Sequence, residues 1–127
     1  MSEPVEQRRF VVLEHEWDGV HWDFMIEDEG RLRTWAIDTP LVAGEELPAR
    51  ALPDHRLDYI TYEGPISGGR GSVRRVDAGT FHGLEWGPHR VRGTLAGGQL
   101  VGEVVLYCVD SASPGSSPWK FRLGKVD

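Results

Sequence analysis

Residues 15–24 read His-Glu-Trp-Asp-Gly-Val-His-Trp-Asp-Phe. Two imidazoles and a carboxylate this close together are ligands for a borderline transition metal, provided that they meet on one face. From Val20 onward the segment has strand character. Alternation puts His21, Asp23 and Met25 on one side and Trp22, Phe24 and Ile26 on the other. The aromatic side calls for burial, so the side with His21 and Asp23 lines something polar. The turn decides where His15 points. A two-residue loop at Asp18-Gly19 pairs His15 with Trp22 and sends it to the wrong face. A three-residue loop, Trp17-Asp18-Gly19, with Gly19 in the left-handed conformation, pairs it with His21. In that register His15, His21 and Asp23 converge. Their mixed nitrogen and oxygen donors suit manganese, zinc or iron better than magnesium or calcium. Three protein ligands leave positions open for water and substrate, the pattern of a catalytic site. Such an ion acts as a Lewis acid on a phosphoryl oxygen. The competing structural reading has two half-buried strand histidines and a turn-side acid. Two imidazoles and a carboxylate on one face favour the site.

A second cluster is Asp54-His55-Arg56-Leu57-Asp58-Tyr59, where the chain is expected to leave a loop and enter a strand. His55 can donate to a phosphate or protonate a leaving oxygen, and Tyr59 can donate to a non-bridging oxygen. Tyr59 also reads as a core residue with a surface hydroxyl. Residues 64–71, Gly-Pro-Ile-Ser-Gly-Gly-Arg-Gly, lack the Gly-Lys-Ser/Thr ending of a P-loop. They can bring backbone amides and Arg70 to a phosphate, or simply turn a barrel corner. His82 and His89 lack companions at useful spacing and read as surface residues.

The elements that must position these groups are short. The 16 glycines and 8 prolines fall between segments rich in Val, Ile, Thr, Trp and Phe, the punctuation of an all-β chain. Strands are expected at residues 10–16, 20–28, 31–38, 59–63, 72–77, 80–86, 89–95, 100–109 and 119–123. Turns fall at Ala78-Gly79 and Gly97-Gly98, and a short helix at residues 43–50 between Pro40 and Pro53. Strands so spaced make a sandwich or a barrel, and barrel closure removes exposed edges. Residues 111–118 read as a surface loop. The 127 residues are expected to form a single domain, with residues 1–8 as a flexible arm. A domain of this size folds without a disulfide or structural metal, so a metal site here reads as functional.

The formal charge of −6 makes the chain a poor non-specific nucleic-acid binder. Local arginines, such as Arg70 with Arg74 and Arg75, can still engage one phosphate or a strand end, although most read as solvated strand faces. The single cysteine, Cys108, follows an apolar run and reads as packed, and one thiol forms no internal disulfide. A reduced, cytoplasmic setting is therefore expected. No apolar stretch reaches the length of a membrane span, so no membrane association is expected, and the polar first nine residues hold no signal-peptide core.

At these residues the chain resembles the 3′-phosphoesterase domain found at the N-terminus of bacterial DNA ligase D, also known as a free-standing protein. The resemblance begins at Arg9-Phe10-Val11-Val12, and continues through His15 and His21-Trp22-Asp23-Phe24 to the segment around Trp35. It goes on through Asp54-His55, Leu57-Asp58-Tyr59, Tyr62-Glu63-Gly64, Ile66 and Asp77-Ala78-Gly79-Thr80-Phe81. It reaches Leu100-Val101-Gly102, Trp119 and Lys125. The ordered combination is specific, although each piece alone is not.

The resemblance implies an all-β, compact, closed or nearly closed β-barrel of about eight short strands with one or two short helices. It implies a surface groove holding manganese, with His15, His21 and Asp23 as metal ligands. His55 and Tyr59 look like the family's phosphate-engaging, catalytic pair. It further implies a hydrolase that trims DNA 3′ ends carrying a ribonucleotide or phosphate to a 3′-hydroxyl, alongside ligase or polymerase repair proteins. Two departures stand out. The family places an arginine two residues after the metal-binding Asp, where this chain has Met25, and the family's N-terminal arm is short here. Arg70, Arg50 or Arg56 could supply the missing cation from a loop. The alternative is a catalytically degenerate module that keeps the metal and binds a phosphorylated end or a repair partner. A third reading is a barrel scaffold without metal.

Overall fold

The computed structural model describes residues 6–110 and 118–124. Nine strands run through these residues in chain order: β1 (Glu6–Glu16), β2 (Val20–Asp28), β3 (Arg31–Ile37), β4 (Glu46–Arg56), β5 (Gly64–Pro65), β6 (Ser72–Trp86), β7 (Arg90–Gly97), β8 (Val101–Cys108) and β9 (Pro118–Leu123). Every pairing is antiparallel, in the order β1-β2-β3-β4-β9-β8-β7-β6, and β6 returns to β1. This closes an eight-stranded barrel. The two-residue β5 adds to the start of β6. The all-β barrel expected from the sequence is the fold that forms.

The inward residues alternate along each strand as the pleat demands. Phe10 and Val12, Phe24 and Ile26, Trp35 and Ile37, Phe81, Leu95, Leu106 and Phe121 fill one continuous core. Phe24 meets Phe121 edge-on at 5.3 Å between ring centroids, and Trp35 meets Trp119 at 5.7 Å. A second buried cluster lies on the outer face of β1, β2, β3 and β6, formed by Val11, Leu13, Met25, Leu32 and Val73. Leu57, Tyr59, Ile60 and Ile66, from the crossover between β4 and β6, roof it.

Four expectations are corrected. Residues 43–50 contain no helix, because Leu47 and Ala49 are buried in alternation with exposed Glu46, Pro48 and Arg50, and β4 pairs with β9. Tertiary pairing here overrides helix propensity. Residues 59–63 form no strand. The chain makes a 3-10 turn at Leu57–Ile60 instead, the one helical element among the described residues. Ala78-Gly79 is not a turn but the middle of the continuous β6, which pairs on both sides. Gly79 is needed there because a Cβ would lie 2.2 Å from the carbonyl oxygen of Ala96. Glu6–Arg8, expected in an arm, belong to β1. Residues 111–117, read as a loop, lie outside the described residues. Cys108 is buried, as expected, and among the described residues no helix is long and apolar enough to cross a membrane.

The barrel carries one buried polar clamp. Asp77 Oδ1 accepts the backbone N–H groups of Ala78 (2.9 Å) and Gly98 (2.8 Å), and Oδ2 accepts those of Gln99 (3.1 Å) and Leu100 (2.7 Å). The carboxylate thereby closes the β7–β8 hairpin at Gly97-Gly98. Replacing Asp77 with Ala strands these donors and is expected to cost about 2–4 kcal/mol. Asp77→Asn keeps one acceptor oxygen and should cost less. Urea unfolding of both variants checks the order, and equal stability of Asp77→Ala and wild type would remove the clamp's role.

Candidate metal centre

The β1–β2 hairpin holds the register that the site requires. Glu16 pairs with Val20, His15 with His21 and Leu13 with Asp23, leaving Trp17-Asp18-Gly19 as the loop. Gly19 has φ +109°, and Asp18 is also left-handed at +51°. Asp is among the few non-glycine residues that adopt this region at modest cost. The Trp17 amide donates to the Gly19 carbonyl at 2.9 Å and tightens the turn. His15, His21 and Asp23 therefore project from the outer face of the barrel.

One donor atom from each of these residues lies within 4.8 Å of the other two. His15 Nε2 is 2.8 Å from the carbonyl oxygen of Arg70. A carbonyl only accepts, so Nε2 carries the ring proton and Nδ1 keeps its lone pair. Nδ1 lies 3.8 Å from Asp23 Oδ2. A backbone acceptor that fixes the tautomer of a ligating imidazole is the usual support of a metal site. His21 Nε2 stands 3.1 Å from Asp23 Oδ1. This hydrogen-bonding approach to Asp23 raises the His21 pKa above the ordinary histidine value, while burial and Arg50 pull it down. The approach is too oblique to satisfy Oδ1, which is buried without a well-directed hydrogen-bond partner. A buried carboxylate oxygen so left, flanked by two imidazole nitrogens, fits a divalent cation.

The second wall of the groove comes from the end of β4 and the 3-10 turn. The β3–β4 register slips between Leu32 and Thr34, so that Pro53 and Asp54 form a bulge. Pro53 can sit there because a bulge spares its missing N–H. Its carbonyl accepts from His55 Nδ1 at 3.0 Å, which leaves Nε2 as the exchangeable nitrogen. Tyr59 follows in the 3-10 turn, its ring edge-on to His55 at 6.0 Å. His15, Asp23, His55, Tyr59 and Arg70 all line one groove of about 350 Å³. His55 and Tyr59 thus lie where the chain leaves a strand for a turn, the reverse of the expected direction.

Met25 lies beneath the groove and is fully buried in the outer cluster. The Arg70 guanidinium bonds Ser67, with Nε to the carbonyl oxygen at 2.8 Å and Nη2 to Oγ at 3.3 Å. Arg50 pairs with Asp38 at 3.0 Å. Three contributors escaped the sequence reading: the bulge at Pro53, the Arg70 carbonyl and Gly71. Gly71 has φ +75°, and a Cβ there would lie 1.8 Å from the carbonyl oxygen of Glu16. It lets the glycine-rich loop press against the hairpin and bring the Arg70 carbonyl to His15. The crowding of glycines at 64–71 is the one sequence signal that pointed there.

Fold and site together define a small closed barrel whose outer face brings two imidazoles and a carboxylate together beside a partly roofed groove. A profile of the DNA ligase D 3′-phosphoesterase domain matches residues 13–107, and the chain belongs to that family. The multifunctional non-homologous end joining DNA repair protein LigD of Mycobacterium tuberculosis is 33% identical over 106 residues, covering 76% of this chain and 14% of that protein. The multifunctional non-homologous end joining protein LigD of Pseudomonas aeruginosa is 33% identical over 82 residues, covering 61% of this chain and 10% of that protein. The chain therefore spans 14% or less of these relatives' length. Family membership supports a phosphoesterase role.

The Gly71 contact generates a test. Gly71→Ala should push the loop off the hairpin and release His15 from its carbonyl partner. Manganese affinity, measured by calorimetric titration, is expected to fall about tenfold or more while the circular dichroism of the barrel is retained. Unchanged affinity would show that the Arg70 carbonyl does not support the site.

Proposed function

We propose that the chain is a metal-dependent phosphoesterase that trims nucleic-acid 3′ ends, converting a 3′-phosphate or 3′-ribonucleotide end to a 3′-hydroxyl. The observation that carries this reading is the convergence of His15, His21 and Asp23 within 4.8 Å, with His15 and Asp23 lining a groove that His55 and Tyr59 also line. His15 would bind through Nδ1, His21 through Nε2 and Asp23 through its carboxylate. A divalent ion, manganese in the first instance and zinc in the second, supplies Lewis acidity toward a phosphoryl oxygen when bound.

The chain's own groups divide the remaining work. The Pro53 carbonyl keeps the His55 Nδ1 proton in place, so Nε2 is the nitrogen that picks up a proton from water and delivers it to the leaving oxygen. The Tyr59 hydroxyl donates to a non-bridging phosphate oxygen. Arg70 engages the phosphate only after giving up Ser67, and its carbonyl meanwhile orients His15. DNA is the expected substrate ahead of RNA, with ligase or polymerase repair proteins as partners in the cytoplasm. The relatives' end-joining names support that setting.

One observation favours a second reading. Met25 is 0% exposed and packed among apolar side chains, so no cation rises from that position toward the phosphate. A degenerate module that binds a phosphorylated end without turnover is consistent with this.

Incubating the protein with a 3′-phosphate primer and manganese separates the two. The enzyme reading expects phosphate release that stops with chelator and returns with manganese. It expects a loss of about 100-fold or more in Asp23→Ala and His15→Ala, with the barrel intact by circular dichroism. Metal binding without product selects the degenerate module, and full activity in Asp23→Ala overturns the ligand assignment.

A further inference from the structure

Trp17 is 50% exposed at the tip of the β1–β2 hairpin, an uncommon place for the largest apolar side chain. It is not loose there. Its Cβ packs against Gly71, where an added Cβ would approach to 2.7 Å, and its ring lies near-parallel to His15, 6.2 Å away at an interplanar angle of 22°. It also lines the groove that holds the cation cluster. An anchored indole with one side open is a stacking surface for a planar ring.

Arg56 lines the same groove and a second depression that continues from it past Tyr59 and Ile66. The other cations near the site are engaged, Arg70 with Ser67 and Arg50 with Asp38. Among the described residues Arg56 is exposed and makes no ion pair or side-chain hydrogen bond. In a chain of charge −6, an unpaired guanidinium beside a carboxylate-bearing groove is placed to meet a phosphate.

We propose that Trp17 and Arg56 form a clamp for the terminal nucleotide, Trp17 stacking on its base and Arg56 binding its phosphodiester linkage. Trp17 is the immediate ring neighbour of His15. A phosphate over the cluster thus leaves its own base against the indole. The clamp makes the site prefer ends whose last residue carries a base, whichever base it is, because every base offers a π-face. Trp17 and Arg56 are positioning residues, and the inference rests on the phosphoesterase reading above.

The test uses two fluorescein-labelled oligonucleotides ending in 3′-phosphate, identical except that the last residue of one is abasic. Stopped-flow anisotropy with manganese reads binding ahead of turnover, and phosphate release with manganese reads KM and kcat. The wild type should bind the base-bearing end about tenfold more tightly, and the difference should appear in KM rather than kcat. Trp17→Ala should erase the preference by weakening only the base-bearing end, and Trp17→Phe should keep much of it. Arg56→Gln should weaken both ends alike and reduce the salt slope by about one. Equal binding of the two ends by wild type, or an undiminished preference in Trp17→Ala, overturns the clamp. Discrimination without phosphate release would sink the phosphoesterase reading and leave the clamp standing. Phosphate release without discrimination would do the reverse.

Discussion

The pairing of His15 with His21 across a three-residue turn is the constraint on which the site depends. Side chains alternate with a period of two, so a slip of one residue would send His15 into the barrel among Phe24 and Trp22. Nothing in the imidazole itself prevents that. What prevents it is the rest of β1, where Phe10 and Val12 must enter the main core while Val11 and Leu13 enter the outer cluster. Burying each such side chain contributes about 1.5–3 kcal/mol, far more than any preference of the turn. The hydrophobic pattern of β1 fixes the register, and left-handed Asp18 and Gly19 accommodate it.

The outer cluster also explains how a barrel acquires a groove. The outer face of a closed antiparallel barrel is ordinarily solvated. Here β1, β2, β3 and β6 put Val11, Leu13, Met25, Leu32 and Val73 on that face, and the crossover from β4 to β6 lies over them. The roof is short and is held by Tyr59, Ile60 and Ile66. It stops short of the cation cluster, leaving a cleft with His15 and Asp23 on one wall and His55 on the other. Apolar packing thus sets the distance between the two halves of the site. The polar groups set only their own local geometry, through the carbonyls of Arg70 and Pro53.

Much of this was legible in the sequence wherever a residue's role depended on near neighbours. The hairpin, the convergence of His15, His21 and Asp23, and the strands β2, β3 and β9 followed from alternation and turn chemistry. What escaped depended on partners far along the chain. Residues 43–50 carry helix-forming alanines and glutamates, and pairing with the distant β9 along Glu46–Arg50 makes that stretch a strand. Gly79 reads as a turn until Ala96 is seen against it. The face of β2 with His21, Asp23 and Met25 was expected to line something polar, which holds around His21 and Asp23, whereas Met25 is covered by apolar side chains from the 3-10 turn. The Arg70 carbonyl was invisible because backbone atoms leave no mark in a sequence.

Met25 is where stability and chemistry pull apart. Under the roof a methionine contributes apolar burial of about 2 kcal/mol, whereas a guanidinium at the same depth without a carboxylate would cost several. Packing therefore wins at Met25, and on the phosphoesterase reading any side-chain positive charge for the phosphate comes from the rim, where water screens it. Arg56 and Arg70 both stand at that rim, one unpaired among the described residues and one tied to Ser67. A rim cation helps to hold a phosphate but stabilises developing charge less than one enclosed at the reacting centre. On the phosphoesterase reading, the groove is accordingly built more firmly for positioning an end than for a fast chemical step.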